Sequence, residues 1–383
     1  LVITIIVMII LAAAIILSLS NSGIIGKANK AKTDTDIASA KDIVAMAHAD
    51  WMLDEAKIKE NDNTITSFSN YAEKKLQEAG YKVGAGEYTV AENGEVYTGL
   101  REGARQAIIS GIKIGDEVKY NEVLTSKSYT TDGSEQSLTG EGDSANQQTI
   151  KTNINYTWKY IGLGEDGSLL IAPDLPKENV EEEYKLTLGG NGGYIKGPAL
   201  LNIICDKLYT IEGKGKAQSM NIDIVNKLLE YNGPKGMYID INKNRVETSE
   251  PMTIGELEAK FNIELSKKYV PEEKDISMYK VDYYVINKTN HTNRITKDIV
   301  RQNLVYQEEN IYWLASPCIA VYLYDNRVHG AIRGVSYSSV GILATISASG
   351  NSIKRAHVVR PYVSLISNIQ KKTEGDKIVW SLS

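Results

Sequence analysis

The stretch that decides the fold is LVITIIVMIILAAAIIL, residues 1–17, which contains one polar residue, Thr4, and no charge. The first charged side chain is Lys27 and the first acidic one is Asp34. Seventeen helical residues extend about 25 Å, slightly less than the roughly 30 Å hydrocarbon core of a bilayer. The run lacks the basic start of a secretory signal. It therefore favours a membrane-inserting helix whose first few residues precede Leu1.

A helical pattern resumes after the Ser-, Asn- and Gly-rich residues 18–26. Apolar side chains then recur at spacings of three and four, which places them on one stripe of a helix. We expect this stripe to pack the helix against the head, and its members are Ile37, Ala40, Val44, Ala47 and Trp51. The sequence thus predicts one long helix over residues 1–58, which we call the stem. A buried core helix is the simpler alternative, but core helices are rarely this long.

The run LVITIIVMIILAAAIILSLSNSGIIGKANKAK resembles the N-terminal segment of type IV pilins and related prepilin-type proteins of Gram-positive clostridia. The apolar run, the small residues at 12–14 and the GIIGKA exit occur together in the family's order. The resemblance implies a precursor that a prepilin peptidase cuts and that is often N-methylated. It also implies an apolar half-helix that first lies in the membrane and then packs in the core of a helical filament.

The chain departs from that family pattern at its start. The usual opening, an aromatic or aliphatic residue followed by TLIE or TLIA, does not occur, and no acid precedes Asp34. We therefore expect about five residues before Leu1 in the mature protein, enough to lengthen the apolar helix to about 33 Å. Whether the family's contact between a glutamate and a neighbouring N-terminus exists here stays open.

The physics of assembly favours identical subunits as partners. An apolar helix of this length is soluble only in lipid or among copies of itself, and shielding it is worth on the order of tens of kcal/mol before ordering costs. Small residues at 12–14 permit close helix approach. The side chains predicted to pack the filament core are Leu1, Ile5, Ile6, Met8, Ile9, Leu11, Ala12, Ala13 and Ile16.

Charges follow the apolar run in two groups. The basic residues Lys27, Lys30 and Lys32 precede the acidic Asp34 and Asp36. An axial shift of one or two helical turns between copies would align opposite charges. A solvated run of charges without such pairing is the alternative.

Two further segments follow the stem. Residues 59–110 predict a small α+β connecting segment, with a short helix over 71–81 that ends near Gly80 and a hairpin at Asn93-Gly94. Residues 111–383 predict a β-rich head, so the fold class is α+β. Within the head we expect strands around the turn 165–167, helices over 197–209 and 221–232, and a long exposed loop or loose hairpin over 124–149. We also expect strands over 311–325, 333–347 and 358–366, and a last strand after Gly375.

The head carries a second, less specific resemblance. WKYIGLGEDGSLLIAPD, GYIKGPALLNIICDKLY, YWLASP and RPYVSL occur in an order similar to a domain of unknown function on clostridial surface and pilin-like proteins. The YWLAS and VRPYVSL segments are also similar to C-type-lectin-like and sulfatase-modifying-factor-like modules. No established chemistry comes with either likeness, and fold-level analogy supports no sugar specificity.

The sequence predicts no catalytic residue, no metal site and no cofactor. His48 falls on the stem, where packing is the better interpretation, and His291, His329 and His357 are far apart in sequence. Ser316 lacks the flanking glycines of a nucleophile elbow. Trp313 and nearby tyrosines could line a glycan site, although core packing is the favoured interpretation.

The two cysteines, Cys205 and Cys318, both fall in the head. In an exported chain an even count is compatible with one disulfide, which would close a loop worth about 4 to 5 kcal/mol in the chain-entropy model. Two separately buried thiols are the alternative, and the sequence does not decide between them.

A net charge of -5 and a pI near 5.6 argue against a nucleic-acid partner. The sequence therefore predicts a non-enzymatic structural subunit, the major pilin of a type IV-like pilus at the cell surface. Before assembly it would be a single-pass membrane protein handled by a prepilin peptidase and a pilus assembly machinery. The alternative is a minor pseudopilin or membrane-anchored adhesin whose head binds glycan.

Overall fold

The computed structural model describes residues 24–132, 147–188, 190–269, 276–288, 294–307, 310–336, 338–345 and 355–383. The side chains of 24–32, 190–195, 266–269, 341–345 and 355 lie outside this description. The chain divides into two compact units, Leu1–Gly111 and Ile112–Ser383. The first unit contains the described part of the stem together with the connecting segment 59–110.

The first unit is built on a long helix. Its elements are α1 (Ile24–Asn61), α2 (Phe68–Glu78), β1 (Tyr88–Val90), β2 (Val96–Thr98) and α3 (Glu102–Ile109). Strands β1 and β2 form the predicted hairpin, in which Val90 faces Val96 and Gly94 takes a positive φ of 84°. Helix α2 starts three residues earlier than the prediction, because the Ser67 side chain caps it by accepting from the backbone N–H of Asn70.

Helix α1 is interrupted once. Asp54 has φ −153° and ψ 53°, outside the helical range, and its Oδ1 accepts from the backbone N–H of Lys57 at 3.3 Å. An aspartate that accepts from the residue three positions on acts as an N-cap, so about the last two turns form a new helical segment. This break was not predicted, because the apolar stripe ends at Trp51 and does not extend across Asp54.

The second unit contains the remaining elements, which are β3 (Glu117–Val118), β4 (Ser128–Thr130), β5 (Thr149–Lys151), β6 (Thr157–Leu163), β7 (Leu169–Asp174), β8 (Lys185–Leu188), α4 (Gly190–Tyr209), β9 (Gly215–Ser219), α5 (Ile222–Leu228), β10 (Gly236–Ile239), β11 (Arg245–Thr248), β12 (Met252–Thr253), α6 (Ile254–Phe261), β13 (Ser266–Tyr269), β14 (Lys280–Val281), β15 (Ile286–Asn287), α7 (Ile299–Val305), β16 (Tyr312–Tyr322), β17 (Arg327–Val335), β18 (Ser339–Thr345), β19 (Arg355–Val358), β20 (Pro361–Leu365), β21 (Ile369–Glu374) and β22 (Lys377–Leu382). Short 3₁₀ turns lie at Tyr120–Val123, Glu182–Tyr184 and Leu323–Asp325.

Two sheets organise the second unit. One has the strand order β21-β22-β3-β6-β7-β20-β9. The other runs β11-β10-β16-β17-β18-β15, with β13 beside β17 and with β19 joining β16 to β8. The antiparallel pair β16–β17 lies at the centre of the second sheet, where Cys318 faces Ala331. Large side chains fill the interior, and Trp158, Trp313 and Trp380 are each at most 1% exposed.

The α+β class and the long N-terminal helix are confirmed. The predicted strand over 333–347 is wrong as a single element, because a turn closed by the Ser336 N–H to the Ser339 carbonyl at 2.8 Å separates β17 from β18. The short helices α3, α6 and α7 were not predicted. Their apolar stripes are too short for a periodic signal to stand out.

Candidate functional site

The predicted stripe of α1 is buried, and it packs within the first unit. Ala40, Val44, Ala47 and Trp51 are 0–8% exposed, and Ile37 is half-buried. Their buried neighbours all belong to the connecting segment and are Ile65, Phe68, Tyr71, Ala72, Leu76 and Val90. The stripe therefore holds the helix against residues 65–90, where we had expected packing against the head.

Trp51 is the largest side chain in this contact. Its ring lies 5.8 Å from the Tyr71 ring and 6.2 Å from the Phe68 ring, and Lys59 places its Nζ 5.2 Å from the indole centroid. His48 packs edge-on against Phe68 at 4.9 Å. A tryptophan that joins two helices contributes several contacts at once, so it dominates the anchoring of α1.

Charged side chains fix the partners of the stripe. The Glu92 carboxylate accepts from the backbone N–H groups of Phe68 and Ser69 at 3.0 and 3.1 Å, at the positive end of α2. Glu73 accepts from the Val90 N–H at 3.2 Å and from Arg105 at 2.5 Å. The surface that receives α1 is therefore held by hydrogen bonds to charged groups.

The opposite side of α1 forms a second apolar surface, which we call the outward face. The same helical spacing that defines the stripe places these residues about half a turn away from it. Met46, Met52 and Leu53 are 71%, 73% and 84% exposed. The outward face consists of Ala38, Asp42, Ala45, Met46, Ala49, Met52 and Leu53, all exposed in the described structure. A single charge, Asp42, interrupts this strip of small and apolar residues.

The residues predicted to pack a filament core, from Leu1 to Ile16, lie outside the described residues. Lys27, Lys30 and Lys32 lie on the described backbone of α1, but their side chains do not belong to the described part. Asp34 and Asp36 are exposed. Charge pairing between copies therefore stays a prediction. Among the described residues, no helix combines the length and the apolar composition that a bilayer span requires.

The histidines outside α1 occupy separate environments. His329 packs edge-on against Tyr322 at 5.1 Å, and His357 packs against Trp313 at 4.7 Å. His291 lies outside the described residues. Within the ranges that the structure describes, no group of three or more His, Cys, Asp or Glu side chains could hold a metal ion.

Trp313 belongs to the core and lines no surface. It is 0% exposed, and its Nε1 donates to the Leu186 carbonyl at 2.7 Å. A glycan site at this tryptophan is therefore excluded by burial. Ser316 is also buried, and its hydroxyl accepts from the backbone N–H of Ile222 at 2.8 Å, where it supports the start of α5.

The disulfide between Cys205 and Cys318 does not form. Both thiols are free and buried, Cys205 in α4 and Cys318 in β16. Burial raises the pKa of Cys205 well above its ordinary value and the pKa of Cys318 to about 12. Of the two alternatives that the sequence left open, the structure contains the separately buried thiols, which remain protonated at neutral pH.

The second unit has a cavity of about 480 Å³ beside α5. Its lining consists of Ile222, Asp223, Asn226, Lys227, Glu230, Tyr231, Lys235, Pro251, Asp282 and Tyr284. Asp282 accepts from the backbone N–H of Ile319 at 2.8 Å and lies 3.6 Å from a guanidinium nitrogen of Arg333. Burial raises the pKa of Asp282 above its usual range, against the opposing effect of Arg333.

A fully buried arginine forms the back of this cavity wall. Arg333 is 0% exposed, donates to the carbonyls of Asp282 and Tyr284, and stacks over the Tyr284 ring at 4.4 Å. Tyr231 stacks on Tyr284 with ring centroids 5.6 Å apart. Arg333, Tyr284 and Tyr231 are therefore in consecutive contact, which keeps the wall rigid.

Sequence reasoning missed both the outward face and this cavity. The outward face had a signal, because Ala45, Ala49 and Met52 repeat at helical spacing on the side away from the stripe. The cavity had none, since its wall joins α5 to the chain near β14 through a hydrogen bond from Asn226 to Tyr284 across 58 residues of sequence.

Comparison of this chain with protein-family models, with curated proteins and with solved structures finds no match in any of the three. The functional assignment therefore rests on the residues and on the geometry of the two units.

Proposed function

We propose that this chain is the structural subunit of a type IV-like pilus and polymerises through its N-terminal helix. The observation that carries the proposal is the outward face of α1. One side of the helix is already anchored within its own unit, while the opposite side exposes Met46, Met52 and Leu53 among alanines. Contiguous exposed apolar surface marks an interaction site, and helices from neighbouring copies would cover it.

The order of features along the chain supports the same conclusion. The outward face follows the apolar run of residues 1–17 on the N-terminal side of the protein. Alanines between larger apolar residues allow helices to approach closely and interlock. In this proposal the apolar run and the outward face pack against identical subunits, and the second unit coats the filament at the cell surface. The precursor would lie in the membrane until a prepilin peptidase and an assembly machinery act on it.

Replacing Met46 and Leu53 together by Gln tests the proposal. We expect the M46Q/L53Q subunit to fold normally, because both side chains are exposed, and to form at least about tenfold fewer filaments, because each buried apolar side chain contributes about 1.5–3 kcal/mol. The measurement is the yield of filaments sheared from cells that express only the variant, counted by electron microscopy, with the membrane fraction probed for unassembled subunit.

The matched control exchanges the same residues conservatively. M46L/L53M keeps the outward face apolar at nearly the same volume, so its filament yield should equal that of the wild type. Wild-type yield from M46Q/L53Q would show that copies do not meet through this face and would refute the proposed assembly.

A further inference from the structure

The cavity beside α5 is electrically balanced. Its lining has three carboxylates, on Asp223, Glu230 and Asp282, and two ammonium groups, on Lys227 and Lys235. The guanidinium of Arg333 lies directly behind Asp282, at 3.6 Å, and completes the balance. A strongly anionic or cationic ligand would meet opposing charges here and gain little from them. The lining instead favours a ligand that is neutral and rich in hydrogen-bonding groups.

We propose that this cavity binds a neutral saccharide. The oxygen of a sugar hydroxyl group both donates and accepts hydrogen bonds, and the lining offers both kinds of partner within one concave surface. The carboxylates of Asp223, Glu230 and Asp282 accept, while the ammonium groups of Lys227 and Lys235 donate. Ile222 and Pro251 add apolar contact for the C–H groups of a sugar ring. A cavity of about 480 Å³ falls within the size range of small-molecule sites, roughly 300–1,000 Å³.

Several lining groups are already fixed in position. Asp282 is held by the Ile319 N–H at 2.8 Å, and Glu230 lies 3.5 Å from Arg301. Asn226 donates to the Tyr284 hydroxyl at 2.8 Å. Polar side chains that are already oriented lose less conformational entropy when a ligand binds. This preorganisation favours binding.

Asn226 also has an incomplete hydrogen-bond set. Its Oδ1 is buried, and no donor among the described residues lies within hydrogen-bond distance of it. Buried amide oxygens in proteins are normally satisfied. This oxygen is shielded from the open cavity, so the incomplete set belongs to the cavity wall and does not by itself provide a contact for the sugar.

The two tyrosines act as a support and do not provide a stacking platform. Tyr231 stacks on the Tyr284 ring and the Arg333 guanidinium packs over the same ring, so Tyr284 is already in contact with two side chains of the wall. The Tyr231 hydroxyl donates to the Pro234 carbonyl at 2.7 Å. Recognition in this site therefore depends on hydrogen bonds to polar side chains, and the loss of two carboxylates should weaken it markedly.

The test uses the full chain in a detergent that has no sugar headgroup. Saturation-transfer NMR would be recorded with glucose, galactose, mannose, N-acetylglucosamine and their disaccharides, each up to about 10 mM, with lysine, glutamate and glucose 6-phosphate as charged comparators. We expect saturable binding of at least one neutral sugar. The exposed pair Asp223 and Glu230 would be replaced in D223A/E230A, which should raise the Kd at least about tenfold without unfolding the protein.

The matched control removes two exposed acids that do not line the cavity. E212A/E264A changes the net charge by the same amount and should leave the Kd unchanged. Absence of saturable binding by any neutral sugar, or equal Kd values for D223A/E230A and the wild type, would overturn the proposal. Binding only of a charged comparator would overturn it as well, since it would assign the cavity to another class of ligand. None of these outcomes depends on whether the chain forms filaments.

Discussion

Replacing Trp51 by Ala should release helix α1 from its own unit. The indole is 8% exposed and contacts both Phe68 and Tyr71 of α2. Truncating a buried tryptophan to alanine removes its apolar contacts and leaves a cavity, at a cost of about 3–5 kcal/mol. Because the chain has two units, hydrogen exchange measured by mass spectrometry is the appropriate readout. Amides of α2 should exchange more than about a hundredfold faster in W51A.

The neighbouring residue supplies the control for that experiment. Met52 is 73% exposed on the outward face, so M52A should change the local free energy of unfolding by less than about 0.5 kcal/mol. Unchanged exchange of the α2 amides in W51A would contradict the account, because it would mean that the buried stripe does not anchor the stem.

Replacing Arg333 by Met should destabilise the second unit by about 3–5 kcal/mol. The substitution removes the cation nearest to the Asp282 carboxylate and the donor to the carbonyls of Asp282 and Tyr284. An unpaired carboxylate in this partly buried position is costly. Hydrogen exchange of the β16 and β17 amides, recorded across a denaturant series, measures the loss in the free energy of unfolding.

Two further variants separate the charge effect from the loss of packing. Arg327 lies on the same strand and pairs with Asp325 in a partly exposed position, so R327M should cost only about 0–1 kcal/mol. In the double variant R333M/D282N the carboxylate is also removed, so the double variant should be less destabilised than the two single losses added together. Additive losses, or equal losses in R333M and R327M, would contradict the assigned role of the Arg333–Asp282 pair.

Local patterns in the sequence predicted the first unit well. The spacing from Ile37 to Trp51 reports a helical stripe directly, and Asn93-Gly94 specifies a tight turn between two alternating runs. Within each signal the decisive residues lie close together along the chain. The partner of the stripe was harder to predict, because the connecting segment and the head offer similar apolar surfaces in sequence. In the structure the stripe packs against residues 65–90.

The second unit was harder to predict because its decisive contacts are long-range. Arg333 contacts Asp282 and Tyr284, which lie about fifty residues away in sequence. No local pattern predicts that an arginine is buried. The cavity likewise forms where α5 meets the chain that leads to β15. The same sequence is compatible with two separately buried thiols and with a disulfide. Only the positions of Cys205 and Cys318 in the fold distinguish the two alternatives.

Electron microscopy of filaments sheared from the source cells tests most directly whether this chain builds filaments. Mass spectrometry of their main protein band would be recorded on the same preparation. We predict thin filaments in which this chain is the dominant component and carries a methylated amine at its mature N-terminus. A chain that is scarce in the sheared fraction and remains in the membrane fraction as a monomer would contradict the claim.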